Sequence, residues 1–112
     1  MTRRGREAEQ QAFDYLRRHG LIEVERNYRC RFGEIDLIMR DGQTLVFVEV
    51  RKRASSAFGG APASIDARKQ HKLLVAARHY IGSKGKIPDC RFDAVLLNGD
   101  NRIEWIRNAF GE

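Results

Sequence analysis

The chain has 112 residues, 42% of them hydrophobic and 32% charged, and a formal net charge of +6. This length suits one hydrophobic core, so we expect a single domain over residues 1–112. No apolar run approaches the ~18 residues of a membrane span, and the N-terminal segment lacks the apolar stretch of a signal peptide, so we expect a cytoplasmic protein. The positive charge suits a polyanion such as DNA or RNA, although a basic, solvated surface without such a partner has the same composition.

Hydrophobic periodicity predicts a first helix over residues 5–19, ended by Gly20. One position in its apolar stripe is a carboxylate, Glu9, which is costly there unless it is paired or binds a metal. Either Glu9 lies in a frayed first turn and reaches water, which periodicity alone favours, or it belongs to a site. The apolar members of the stripe are Ala8, Ala12, Phe13, Tyr15 and Leu16.

Three strands are predicted next. Residues 21–30 form an irregular first strand, and residues 33–40 alternate apolar and polar side chains. Residues 43–51 are almost wholly apolar and β-branched or aromatic, which is typical of a central strand buried on both faces. The dipeptide Asp41-Gly42 predicts a two-residue hairpin loop between the second and third strands.

The second half of the chain predicts a helix and two more strands. A loop rich in Ser, Ala and Gly precedes a helix at residues 65–81, for which Ser64 is the expected cap. Strands are expected at residues 90–98 and 102–107. The order αβββαββ indicates a small α/β domain with a mixed sheet. Arg91 and Asp93 share one face of the fourth strand, where we predict a structural salt bridge.

The predicted hairpin brings acidic residues together. Counting back from the Asp41-Gly42 loop places Asp36 opposite Phe47 and Glu34 opposite Glu49, so three carboxylates share one face. Like charges in these positions are destabilising, and a cation, a bound metal or a raised pKa should compensate. A one-residue bulge would instead place Glu34 and Asp36 on the opposite face from Glu49.

Oxygen ligands without a nearby His or Cys pair suit a hard cation, Mg²⁺ or Mn²⁺. Such an ion can activate water and stabilise charge on a phosphoryl group. Basic residues surround the acidic positions in the sequence and either hold the phosphates of a nucleic acid or form a solvated face. These residues are Arg26, Arg29, Arg31, Arg51, Lys52 and Arg53.

Five motifs occur in order between Asn27 and Leu97, namely NYRCRFGEIDLI, LVFVEVRKR, FGGAP, ARKQHKLL and RFDAVLL. Together they closely resemble the YraN family of small bacterial proteins, and the resemblance runs from about Gly5 to Phe110. That family is similar to the PD-(D/E)XK nuclease superfamily and, within it, to Holliday-junction resolvases. The resemblance implies a restriction-endonuclease-like αβββαββ core and a metal-dependent DNA endonuclease, with branched DNA as a candidate substrate. Resolvase-like relatives act as dimers, so a homodimer is one expected form.

The resemblance also implies roles for individual positions. Asp36 matches the metal-binding aspartate of the superfamily, Glu49-Val50-Arg51 matches its (D/E)XK motif, and Glu9 matches a glutamate of the first helix. The implied catalytic residues are Glu9, Asp36, Glu49 and Arg51, and the implied metal ligands are Asp36, Glu49, Glu9 and the backbone carbonyl of Val50. Glu34 becomes secondary. The residues expected to contact nucleic acid are Arg29, Arg31, Arg53 and Lys69, with Gln70 beside the site.

One position departs from the superfamily pattern, because Arg51 stands where lysine is usual. Arginine stays protonated and cannot act as a general base, although it can stabilise phosphate charge. Lys52 points to the opposite face of a regular strand, whereas Lys69 could reach the site from the following helix. Two hypotheses therefore stand: a metal-dependent endonuclease, and a non-catalytic nucleic-acid-binding or partner-recruiting module on a nuclease scaffold.

Overall fold

The structure, a computed structural model, describes residues 3–53, 66–83, 85, 89–99 and 102–110. These residues form helices and strands in the predicted αβββαββ order, which confirms the α/β class. No helix within these ranges is long and apolar enough to cross a membrane. The helices are α1 (Arg3–Arg18) and α2 (Ala67–Gly82), and the strands are β1 (Ile22–Cys30), β2 (Gly33–Asp41), β3 (Thr44–Arg53), β4 (Cys90–Asn98) and β5 (Ile103–Phe110).

The five strands form one mixed sheet in the spatial order β1-β2-β3-β4-β5. Strands β3 and β4 are parallel, and the other neighbouring pairs are antiparallel. The parallel pair is joined by the connection that contains α2, as parallel strands require a long crossover. Strand β3 lies at the centre of the sheet and its residues 46–49 are buried, which confirms the prediction from its continuous apolar run.

Each helix covers one face of the sheet. On one face, Leu16 of α1 packs in a cluster with Val46 and Val48 of β3. On the other face, Ala76 of α2 packs in a cluster with Phe47 of β3. Successive side chains of a strand point to opposite faces, so β3 supplies both clusters in alternation. Because each face of the mixed sheet is buried by one helix, the arrangement is that of a restriction-endonuclease-like core.

The helix ends are set by local chemistry. Helix α1 ends before Gly20, which has a φ of 97°, a conformation that favours glycine at a helix end. Helix α2 begins two residues later than predicted, because Asp66 is its N-cap and accepts a hydrogen bond from the Lys69 N–H at 2.8 Å. The expected cap, Ser64, lies outside the described residues.

The β2–β3 loop differs from the prediction. It consists of Gly42 and Gln43, since Asp41 remains in the strand opposite Thr44. Gly42 has a φ of 63°, which suits a type II′ turn with glycine at its first loop position. The carboxylate of Asp41 is held in the strand by Arg91, whose Nη1 lies 3.1 Å from Asp41 Oδ2.

Because of this loop, the observed register of β2 and β3 differs from the predicted register by two residues. Phe47 opposes Ile38 and not Asp36, so the predicted pairings of Asp36 with Phe47 and of Glu34 with Glu49 are wrong. A change of one residue would move every side chain to the other face, but a change of two preserves the faces.

Strand β5 is longer than predicted and ends at Phe110. Pairing with β4 shifts between Phe92 and Ala94, and Asn108 adopts a φ of 54° at this irregularity. The Asn108 N–H donates to Asp93 Oδ1 at 2.9 Å. A buried carboxylate on β4 therefore holds the bulged strand in place and lets it continue.

Candidate functional site

The candidate site lies where regular pairing between β2 and β3 ends. The ladder runs from Asp41 opposite Thr44 to Leu37 opposite Val48. Beyond it, the backbone N–H of Val50 donates to Asp36 Oδ2 at 3.0 Å. A carboxylate side chain thus satisfies a strand amide at this point and is anchored beside the next acidic residue of β3.

Asp36 and Glu49 meet at this position. The observed register, continued by one residue, places them opposite each other, and their carboxyl groups lie within hydrogen-bonding reach. Glu49 is only 5% exposed. Burial, followed by the charge of Asp36, raises the pKa of Glu49 to about 7. Burial also raises the pKa of Asp36, against the opposing effects of the Val50 N–H and Lys69. The pair cannot be fully ionised at low cost without a nearby positive charge.

Two basic side chains supply positive charge on one oxygen of Glu49. Arg51 Nε lies 3.2 Å from Glu49 Oε2, although its N–H is not aligned with an acceptor, so this is a charge contact. Lys69 Nζ lies 3.7 Å from the same oxygen. Asp66 caps α2 through the Lys69 N–H and thereby fixes the first turn of the helix that carries Lys69. The structure therefore brings Lys69 to the acidic pair from α2, a position that sequence alone left open.

The other oxygen of Glu49 has a different environment. Glu49 Oε1 is buried and has no hydrogen-bond donor among the described residues. An unpaired buried acceptor costs about 1–3 kcal/mol, which a cation would offset. No group of three or more His, Cys, Asp or Glu side chains in the described residues has the geometry of a metal centre. The donors present fit Mg²⁺, which commonly takes one or two carboxylates and keeps several waters.

Glu9 approaches the pair from α1. The helix begins at Arg3, so Glu9 lies beyond the first turn and is 9% exposed, and the interpretation as a frayed, hydrated residue is wrong. Its carboxyl group is within hydrogen-bonding reach of Asp36. Burial, then the charges of Asp36 and Glu34, raises the pKa of Glu9 to about 7. A third carboxyl group therefore adjoins the Asp36–Glu49 pair.

Asn27 lies beside the acidic residues, and sequence reasoning missed it. On β1 it falls between the pairs Arg26–Leu37 and Tyr28–Ile35, which places it opposite Asp36. Its side chain hydrogen-bonds to Glu9 and lowers the pKa of that carboxyl group, and its Oδ1 is buried without a partner among the described residues. Asn27 has a φ of 55°, uncommon for a residue other than glycine and often found at functional sites. The only signal in the sequence was an asparagine, a poor strand former, inside a predicted strand.

The remaining predicted residues lie around this centre. Glu34 opposes Arg29 on β1, and Arg29 Nε lies 3.2 Å from Glu34 Oε2, so Arg29 is engaged in a surface ion pair. The Arg31 guanidinium lies 5.3 Å from the ring centre of exposed Phe32 in the β1–β2 turn. Gln70 is half-buried in the first turn of α2. The side chain of Arg53, at the end of β3, lies outside the described part of the structure.

The fold and site define an α/β protein with a buried acidic pair at a break between two strands, flanked by cations from β3 and α2. The chain belongs to the Uncharacterised protein family UPF0102, whose model matches residues 8–97. This is the family that the sequence motifs indicated under the name YraN. The matched residues include every acidic residue of the site and both neighbouring cations.

Similar proteins come from several bacteria. A UPF0102 protein of Nitrosomonas eutropha is 58% identical over 109 residues, which cover 97% of this chain and 94% of the relative. A UPF0102 protein of Nitrosospira multiformis is 61% identical over 109 residues, with 96% and 92% covered. A UPF0102 protein of Methylobacillus flagellatus is 53% identical over 112 residues and 98% of each chain. The similarity therefore spans all the elements that build the site.

Proposed function

We propose that the protein is a metal-dependent nuclease of the PD-(D/E)XK type that hydrolyses phosphodiester bonds in DNA. The observation that carries the proposal is the contact between Asp36 and Glu49. One buried oxygen of Glu49 has no donor among the described residues, and the other faces two cations. Two adjacent carboxylates beside cations are the groups that a metal ion and a phosphate require together.

Asp36 and Glu49 would hold Mg²⁺ or Mn²⁺, with the backbone carbonyl of Val50 and, through a water molecule, Glu9. A bound ion at such a site lowers the pKa of water and offsets charge on the phosphoryl group. The Val50 N–H fixes the orientation of the Asp36 carboxylate before any ion binds. Two of the proposed metal ligands thus lie on paired strands, and regular elements hold the positions of ligands more precisely than loops do.

Lys69 is the residue of this site best placed to orient the attacking water. Its ammonium lies beside Glu49, and as a compact charge on a flexible stem it can approach both a water and a phosphate oxygen. Arg51 would contribute by stabilising charge on the phosphate. In this proposal the helix supplies the ammonium that the strand position lacks, so arginine at position 51 is compatible with cleavage.

A second function, binding without cleavage, is favoured by one observation. Both cations near the site already lie beside Glu49 Oε2, so they neutralise that carboxylate internally. If these pairs persist with DNA, the acidic pair is structural and the chain is a nucleic-acid-binding or partner-recruiting module. The variant Arg51→Lys separates the two functions, because a gain in cleavage indicates a weak catalytic site and unchanged inactivity favours the module.

The direct test is cleavage of linear, flapped and four-way DNA with Mg²⁺ or Mn²⁺. We expect cutting by the wild type that requires the ion and falls at least about 100-fold in Asp36→Asn, which preserves shape but removes a ligand charge. Asp89→Asn is the control, since Asp89 is an exposed carboxylate next to the start of β4. Undiminished cleavage by Asp36→Asn would contradict the assigned chemistry. Steeply salt-dependent binding without any cleavage would favour the module.

A further inference from the structure

A second basic site lies on the face of the sheet that α1 covers. A cleft of about 520 Å³ opens between α1 and the carboxyl ends of β3 and β4. Its basic lining residues are Arg18 from the last turn of α1, Lys52 from β3 and Arg102 from the segment before β5. Among the described lining residues, the carboxylate is Asp14, which already accepts a hydrogen bond from Gln10 at 2.9 Å. The described lining therefore carries more basic than acidic side chains.

Three separate elements converge to produce this charge. Asp14 and Arg18 lie four residues apart and occupy one stripe of α1. Lys52 follows Arg51 on β3 and points to the opposite face, towards α1. Within the ranges that the structure describes, neither Arg18 nor Lys52 has a carboxylate at ion-pair distance. Two exposed cations in a concave site, with no ion-pair partner in the described part of the chain, favour an anionic ligand.

The size and position of the cleft indicate which part of a nucleic acid would enter it. Its volume lies in the range of small-ligand sites, roughly 300–1,000 Å³, which suits one or two nucleotides and not a duplex. Lys52 follows Glu49 by three positions, about 10 Å along a strand at ~3.3 Å per residue. A short single-stranded segment of DNA is therefore long enough to reach from the acidic pair to the cleft.

The basic side chains of the two sites lie on different sides of the sheet. Arg51 and Lys69 contact Glu49 on the side of α2, whereas Lys52 lines the cleft on the side of α1. A ligand that touches both sets of basic side chains must pass around the carboxyl ends of β3 and β4. A single strand can bend in this way over a few nucleotides, but a duplex with a persistence length of about 50 nm cannot do so cheaply.

We infer that this cleft binds the phosphate backbone of a single-stranded segment of the DNA held at the carboxylate site. The inference rests on the proposed function for its ligand, and it assigns DNA with a flap, an overhang or an opened branch as the preferred substrate class. Lys52 and Arg18 would contact the phosphates, and the rigid sheet would set the distance between the cleft and the acidic pair.

The test is fluorescence anisotropy of labelled DNA in EDTA, which measures binding without cleavage. The probes are a duplex with a single-stranded overhang and a blunt duplex of equal length. The variants are Lys52→Gln and Arg18→Gln, and Arg40→Gln is the control because it removes the same charge from an exposed residue near the opposite end of β2. Thermal melts check that each variant is folded, as expected for exposed positions.

We expect each cleft variant to bind the overhang DNA about threefold to tenfold more weakly and to reduce the slope of log K against log salt by about 0.7. The blunt duplex and the control should show little change. Unchanged overhang binding by both cleft variants overturns the inference. An equal loss on the blunt duplex overturns the single-strand assignment, and displacement of the DNA by inorganic phosphate at an equal phosphate concentration assigns the cleft to free phosphate.

These outcomes are separable from those of the proposed function. If the cleft variants bind the overhang DNA normally and Asp36→Asn loses cutting, the inference about the cleft is wrong and the proposed nuclease activity is supported. If the cleft variants lose overhang binding and no protein cleaves DNA, the inference about the cleft is supported and the proposed nuclease activity is wrong. An absence of wild-type binding to either DNA at low salt overturns the cleft inference.

Discussion

At the scale of single residues, the candidate site contains carboxyl groups that are held in a dry environment. Glu9 and Glu49 each have a pKa raised from 4.5 to about 7, chiefly by burial. A carboxyl group with a raised pKa in the folded state stabilises the protein below its unfolded pKa, and that contribution is lost as the pH rises towards the folded value. The metal-free protein should therefore lose stability between about pH 4.5 and pH 7.

The variant Glu9→Gln tests whether the buried charge of Glu9 lowers the stability of the protein. The amide has nearly the same shape and carries no charge, so the variant should be more stable than the wild type by about 2 kcal/mol at pH 8 in EDTA and close to it at pH 5. Urea denaturation at the two pH values measures the difference. Glu7→Gln is the control, because Glu7 is an exposed residue of the same helix. Equal effects at both pH values would show that the charge of Glu9 is not buried at a cost.

Lys69 provides a second test at this scale. Lys69→Gln should lower DNA cleavage about 100-fold or more if its ammonium acts on the attacking water or the phosphate. The matched control is Lys72→Gln, since Lys72 is an exposed lysine one turn further along α2. Cleavage rates with saturating Mn²⁺ measure the effect, with circular dichroism to verify folding. A Lys69→Gln variant that cuts at the wild-type rate would remove Lys69 from the mechanism.

At the scale of elements, a buried network fixes the C-terminal strands. Asp93 is fully buried and accepts from the Arg91 Nε and Nη2 groups, the Trp105 Nε1–H and the Asn108 N–H, at 2.9–3.0 Å. The predicted Arg91–Asp93 salt bridge is confirmed. Arg91 also pairs with Asp41, so one network joins β2, β4 and β5.

Asp93→Asn should disrupt this network. The amide supplies one acceptor in place of two and leaves the Arg91 charge without its main partner, so we expect a loss of about 3 kcal/mol in the free energy of unfolding. Urea denaturation measures it, and Trp105 fluorescence reports the local change. Asp89→Asn, on an exposed neighbour, should be close to neutral. A loss below about 1 kcal/mol would show that Asp93 is not the anchor of β5.

The same network explains which element-level predictions failed. Local periodicity predicted all the strands, because side-chain alternation is a property of consecutive residues. The hairpin loop was misplaced because Asp41 pairs with Arg91, fifty positions away in the chain. Strand β5 was predicted too short because Asn108 bonds to Asp93 across a bulge. Interactions between distant residues set these boundaries, and no local pattern reports them.

At the scale of the whole molecule, the site is assembled from five elements: α1 supplies Glu9, β1 supplies Asn27, β2 supplies Asp36, β3 supplies Glu49, and α2 supplies Lys69. Anything that binds only this native arrangement stabilises the complete fold by mass action. A bound cation should therefore raise the thermal stability of the chain and not merely order one loop.

This gives a test of metal binding that needs no substrate. Mn²⁺ at 100 times its dissociation constant should stabilise the protein by about 2.7 kcal/mol, which differential scanning fluorimetry detects as a rise in Tm. The rise should be larger at pH 8 than at pH 6, because Glu49, with a pKa of about 7, must lose its proton to bind the ion. Asp36→Asn should abolish the rise and Asp89→Asn should keep it. A pH-independent rise shared by both variants would place the ion elsewhere.

The sequence by itself determined the α/β class, the order of the elements and the common face of Asp36 and Glu49. These follow from short-range rules, since periodicity identifies helices and strands and a two-residue register error leaves the faces unchanged. Only the tertiary structure decided the register that places Asp36 opposite Glu49, the burial of Glu9 against them, and the approach of Lys69 to the pair from α2. The tertiary structure also places Asn27 opposite Asp36 and brings the residues of the basic cleft together. The physical reason is that each depends on how separate elements cross in space, which burial and long-range pairing determine together.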